Sequence, residues 1–192
     1  MLEPLLLRVV GAQVVPNPLI NPPDDNVGVP RLKWNMVFPS SQCHRSTDGT
    51  HVSWSNGRDQ PATFPRVTFM RIVSESYPFM LNISAKDRQH AGVTCGELID
   101  AIADDFSTLS SRSDYEALPA QKRDEVLEAY KHNRLTAYDV VGDKLGPAMR
   151  RMDFLCEDTM FGGVVVDDVL VKRLCGELLP SSFVLRCSRR RR

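Results

Sequence analysis

The chain holds 192 residues, 42% hydrophobic and 25% charged, enough for one soluble globular domain that buries its core without metal or disulfide staples. Its 24 acidic and 24 basic residues cancel, so no global field draws it to nucleic acid or to an anionic membrane. The five cysteines (Cys43, Cys95, Cys156, Cys175 and Cys187) are scattered, odd in number and form no C-x-x-C pair. That pattern suits reduced thiols in an intracellular protein, cytoplasmic or nuclear.

The opening run MLEPLLLRVVGAQVVPNP is broken by Glu3, Pro4 and Arg8 and has no basic leader, so it is not read as a signal peptide. No later stretch reaches the ~18 uninterrupted apolar residues of a membrane span. In VVPNPLINPPDDNVGVP the prolines fix φ and remove amide donors, which predicts an irregular segment. Leu32, Trp34 and Met36 alternate with Lys33 and Asn35, the pattern of a short half-buried strand or an extended segment laid on a core. Residues 40–65 are polar, with turn signals at Asp48-Gly49 and Asn56-Gly57, and are predicted to form a long surface loop.

Order rises after residue 65. RVTFMRIV (66–73) and FMLNIS (79–84) are rich in β-branched and aromatic residues and predict two strands, with Phe79, Leu81 and Ile83 on one face. Thr94 and Glu97 have the spacing of a capping box, each side chain reaching the other's backbone amide. Leu98, Ile102 and Phe106 then recur at helical spacing with Ile99 and Leu109 beside them. SDYE (113–116) carries a second capping box, Ser113 with Glu116, and predicts a shorter helix interrupted by Pro119, which opens a third helix with Val126, Leu127 and Tyr130 turned inward. MRRMDFLC, the turn-and-strand FGGVVV and the final SFVLRC read as strands, and DDVLVKRLCGELL as strand then loop. The order predicts an α+β fold: an antiparallel or mixed β-sheet with two or three helices packed on one face and a long irregular N-terminal segment. Residues 1–65 would form that segment and the loop, 66–187 the core and 188–192 a basic tail, in a single domain.

NPLI, LKWNMVFP, FMLNIS, GVTCGELIDAI, SRSDYEALP, EAYKHNR, RRMDFL and FGG follow one another in an order that resembles an uncharacterised family of mushroom-forming fungi, the domain of unknown function 6699. The resemblance spans roughly residues 17–185. It departs at Asn35, where the family has aspartate, and at Glu97–Ile99, where the family has DVL. It implies a fold and no mechanism.

On a strand, Arg151 and Asp153 share a face, and a buried carboxylate there would need a cation; the expectation is a structural ion pair, with Arg151 or Arg71 as the partner, rather than a general base. Cys43, His44 and His51 lie in one loop but match no strong zinc spacing, and no cofactor or metal is expected. Cys95 follows a helix cap, yet lies in the apolar stripe, which favours a packed thiol. Trp54 stands alone in a polar loop, where it is either an interaction anchor or folded back onto the domain. Arg189, Arg190, Arg191 and Arg192 form the one dense positive cluster, the only route by which nucleic acid would be engaged. The leading expectation is a non-enzymatic module with a protein partner. An enzyme with a pocket between sheet and helices, using Asp153, Arg151 or Cys95, and a nucleic-acid-associated protein working through the tail are the alternatives.

Overall fold

The computed structural model describes residues 9, 11–22, 31–49, 52–87, 92–136, 146–178 and 181–190. Two small antiparallel pairs organise the first third. Strand β1 (Val15–Pro16) meets β4 (Thr63–Phe64), and β2 (Leu32–Lys33) meets β3 (His44–Arg45). The central sheet contains β5 (Phe69–Val73), β6 (Leu81–Ser84), β7 (Met160–Val165) and β8 (Ser182–Ser188), in the order β6-β5-β8-β7. β5 is antiparallel to β6 and parallel to β8, so the sheet is mixed and the class is α+β.

Helix α1 (Cys95–Ser107) starts at the Thr94–Glu97 capping box: Glu97 N–H donates to Thr94 Oγ1 at 3.1 Å, and Thr94 N–H to Glu97 Oε2 at 2.9 Å. Its apolar stripe packs against the sheet, with Leu98, Ile99 and Ile102 sealed from solvent, while Leu109 beyond the last turn is 59% exposed. Helix α2 (Arg112–Glu116) has its capping box at Ser111 and Asp114, two residues before the predicted one, because Ser111 holds the extended backbone that a cap requires. Helix α3 (Ala120–Thr136) follows Pro119; Val126, Ala129 and Asn133 face inward, and Leu127 turns partly to solvent.

Helix α4 (Asp168–Cys175) replaces the predicted strand. Asp167 caps it by accepting from Leu170 N–H, and Gly176 ends it at φ 77°. Leu170 and Val171 pack on Val73 and Val184, whereas their chain neighbours Ile72, Phe183 and Leu185 belong to the main core. Successive strand residues point to opposite faces. α4 therefore lies on the face of the sheet opposite the larger core.

Residues 40–65 are less of a surface loop than their polarity predicts. Cys43, Trp54, Ala62 and Thr63 are buried. Cys95 N–H donates to Gln60 O at 2.9 Å and Gly96 N–H to Arg58 O at 2.8 Å, so the loop's carbonyls satisfy amides that the first turn of α1 cannot satisfy itself.

Gly162 and Gly163 sit where the β7–β8 register shifts, between Phe161 and Val164. Gly163 has φ 96°, and a Cβ there would lie 2.3 Å from Pro22 N, so this bulge is where the N-terminal segment crosses the sheet. Gly163→Ala is expected to destabilise the protein by about 3 kcal/mol or more through strain and collision together. Gly176→Ala, with φ 77° but open space around its Cβ, should cost only about 1 kcal/mol. Urea midpoints of the two variants check the difference.

Candidate functional site

RRMDFL does not form a strand. Arg151–Leu155 is a 3-10 helix, and at three residues per turn side chains two positions apart diverge. The expected Arg151–Asp153 pair is therefore replaced by two separate ion pairs. Asp153, with no exposed surface, accepts from Arg134 Nη1 at 2.8 Å, Asn133 Nδ2 at 2.9 Å and Arg150 N–H at 2.8 Å. Arg134 also donates from Nη2 to Ala148 O at 2.6 Å and lies over the Tyr130 ring at 4.2 Å. One buried carboxylate thus ties the end of α3 to the segment that follows it. Arg71, the other candidate partner, donates instead to Asn82 Oδ1 at 3.2 Å.

Arg151 donates to Asp105 Oδ1 on α1, and Tyr77 donates its hydroxyl to Asp105 Oδ2. Burial, and then the Asp105 carboxylate, hold the Tyr77 phenol far above its ordinary range. The Arg151 guanidinium also lies 4.5 Å from the centre of the Phe79 ring, which packs edge-on against Phe154 with centroids 5.1 Å apart. These pairs set one wall of a cleft.

The cleft, about 310 Å³, opens where β5 ends. Val73, Tyr77, Phe79 and Phe154 form its apolar floor. Leu118 and Lys122 flank it on the α3 side, Leu174 and Cys175 on the α4 side. Met80 and Leu174, 45% and 43% exposed, stand at the mouth. The polar groups around it are engaged: Ser76 with Asp158, Ser74 with Cys187, Glu75 with Arg173 and Arg186. Burial opposes the charge on Lys122, but Cys156 and Glu125 beside it outweigh that and raise its pKa. Cys156 itself, at φ 56° and ψ −114°, occupies a backbone region that costs a non-glycine residue on the order of 1–3 kcal/mol. Burial pushes its thiol up, and Lys122 partly offsets this.

The other sequence candidates fall elsewhere. Trp54 is 2% exposed, its Nε1 donating to Asn56 O at 2.7 Å and its ring 5.1 Å from the Arg58 guanidinium. It is core and no exposed anchor, because the loop that carries it folds back to cap α1. Cys95 is sealed, and burial pushes its thiol to about 12. Cys43 is buried, His44 half-buried, and His51 lies outside the described residues; among those described, no group of three His, Cys, Asp or Glu side chains has a metal-binding arrangement. Arg189 pairs with Glu157 at 2.8 Å and Arg190 N–H donates to Glu157 O at 3.0 Å, while Arg191 and Arg192 lie outside the described residues. Among the described residues no helix is long and apolar enough to cross a membrane. A pocket between sheet and helices is among the sequence expectations, but not this lining, which comes from four separated stretches that no local spacing announces and includes none of Asp153, Arg151 and Cys95.

Asp153→Ala is expected to cost about 3–5 kcal/mol, because it leaves Arg134 unpaired beside a buried amide. The shift of the urea unfolding midpoint, relative to the wild type, measures the loss. Cys43 and Cys95 both rise from the ordinary 9.0 to about 12, so the folded state keeps them neutral where the unfolded chain ionises. Their contribution to stability is full below pH ~9 and is lost as pH climbs towards 12. A colorimetric thiol reagent at pH 8 should leave both unmodified in the native protein and modify all five cysteines in urea.

Neither a curated protein nor a solved structure matches the chain. A family model does, over residues 32–173, from β2 through most of α4 and so including the α1 cap, the Asp153 brace and most of the cleft. On that match the chain belongs to the family of unknown function DUF6699.

Proposed function

We propose that the protein is a non-enzymatic protein-interaction module whose cleft receives an apolar anchor side chain from a partner. The supporting observation is the contrast between the floor and the rim. Val73, Tyr77, Phe79 and Phe154 offer a pre-formed apolar depression with Met80 and Leu174 partly exposed around it, while the neighbouring acids and hydroxyls are held in structural pairs. A depression ringed by apolar groups suits a hot-spot residue, which gains most when water is excluded around it. Five thiols without a disulfide fit a reducing compartment, cytoplasm or nucleus, and the resemblance to a family of mushroom-forming fungi supports a basidiomycete source.

One observation favours an enzyme as the second reading: the strained turn at Cys156 brings a thiol near Lys122 at the edge of the cleft. It ranks below the first because burial holds that thiol protonated. The nucleic-acid reading has weaker support still, as Arg189 is folded back onto Glu157.

Affinity capture from source-cell extract with the wild-type chain, compared with a Met80→Asp/Leu174→Asp variant, tests the proposal. A stoichiometric partner bound by the wild type should bind the folded variant at least ~30-fold more weakly, the loss expected of a hot spot. A partner retained by the variant, or turnover of a small molecule abolished by Cys156→Ser, would overturn it.

A further inference from the structure

The central sheet has two edges, and the chain treats them differently. At β7, Phe161 N–H donates to Trp34 O at 2.9 Å and Met36 N–H to Thr159 O at 2.8 Å, so the Trp34–Met36 segment covers that edge. β6 forms the other edge.

The register shows where the β6 backbone points. Arg71 N–H donates to Ser181 O, towards β8, so the alternate residues Met70 and Ile72 direct their groups to β6. They lie opposite Ile83 and Leu81, and Ala85 N–H donates to Thr68 O in the same series. Leu81, Ile83 and Ala85 therefore bond inward. Asn82 and Ser84 present their N–H and C=O groups outward, and among the described residues these outward groups meet no partner. Met80, Asn82 and Ser84 are all exposed.

Edges left open in this way are normally guarded by lysine, proline or a bulge. Here Leu81-Asn82-Ile83-Ser84 contains no charge and no proline, and its register with β5 runs unbroken over four pairs. We propose that this edge binds the same edge of a second copy of the chain, antiparallel about a two-fold axis at Asn82, joining two four-stranded sheets into one.

The edge is complementary to itself. A two-fold at Asn82 sets Asn82 opposite Asn82 and Met80 opposite Ser84, and neither pairing brings like charges together. The two Arg71 side chains stand three strand spacings apart, about 14 Å, beyond the ~8 Å screening length of physiological salt. The acids of α1, the helix packed beside β6, are largely committed. Glu97 holds the amides of Thr94 and Lys86, Asp100 pairs with Arg58, and Asp105 accepts from Tyr77 and Arg151. The formal net charge of zero adds no long-range repulsion between copies. This pairing shares only Met80 with the cleft mouth and is made through the backbone of Asn82 and Ser84, so it stands whether or not the cleft binds a partner.

Sedimentation velocity over a concentration series, with amide hydrogen exchange at the same concentrations, tests it on the full chain. The wild type should dimerise by mass action, with the Asn82 and Ser84 amides slowing as concentration rises. Asn82→Pro removes an outward donor while leaving the Leu81 and Ile83 bonds to β5, and should sediment as a monomer with unchanged helix content. Asn82→Lys sets two ammonium groups face to face, and should weaken the dimer at least tenfold at low salt, with recovery at high salt. If the proline variant does not fold, the lysine variant decides. A wild type that stays monomeric overturns the proposal, whether its Asn82 and Ser84 amides exchange fast, as in an edge kept for another partner, or slowly, as in one covered by its own chain. So does a dimer unmoved by either folded variant.

Discussion

A carboxylate with no access to water must have its charge answered on the spot, and Asp153 has three donors converging on it from two elements. Asn133 and Arg134 belong to the last turns of α3, and Arg150 N–H to the entry of the 3-10 helix that Asp153 itself helps to cap. Without this interaction the polar end of α3 would have little to hold it, since most of its surface is charged and few of its residues reach the core. The cost of burying the ions is offset only because every oxygen is bonded, which makes the geometry hard to alter. Phe154 and Leu155 follow within the same turn, so the brace also sets where the aromatic floor of the cleft lies.

A second constraint acts at the start of α1. The Thr94–Glu97 box satisfies two amides, and the carbonyls of Arg58 and Gln60 satisfy two more, in a place where water is excluded. This is why a polar, glycine-bearing stretch holds a buried tryptophan. Glu97 also accepts from Lys86 N–H, which fixes the end of β6 against the helix. The α1 cap, the returning loop and the sheet edge are in this way one connected arrangement.

The two surfaces assigned a role differ in kind. The cleft is a concavity, built from side chains contributed by distant segments and walled by the Tyr77–Asp105–Arg151 cluster. The β6 edge is a backbone feature, set by strand order and register, on which side chains act mainly by offering no obstacle.

What the sequence determined by itself was local. The Thr94–Glu97 box was legible because capping depends on residues three apart, and the stripe of Leu98, Ile102 and Phe106 because helix periodicity is a property of the segment alone. The α+β class followed from the order of such segments. The tertiary structure decided the rest. RRMDFL has the composition of a strand, yet Asp153 is satisfied by two donors from α3 together with the Arg150 amide, and the 3-10 turn places it among them. DDVLVKRLCGELL is ambiguous alone and becomes helical where Leu170 and Val171 meet Val73 and Val184 across the sheet. The polar neighbours of Trp54 left an exposed anchor and a ring folded onto the domain equally open, and those neighbours supply the carbonyls that α1 lacked. Partners drawn from distant parts of the chain leave no mark on local spacing, and for that reason the ion pairs, the cleft and the open edge belonged to the fold alone.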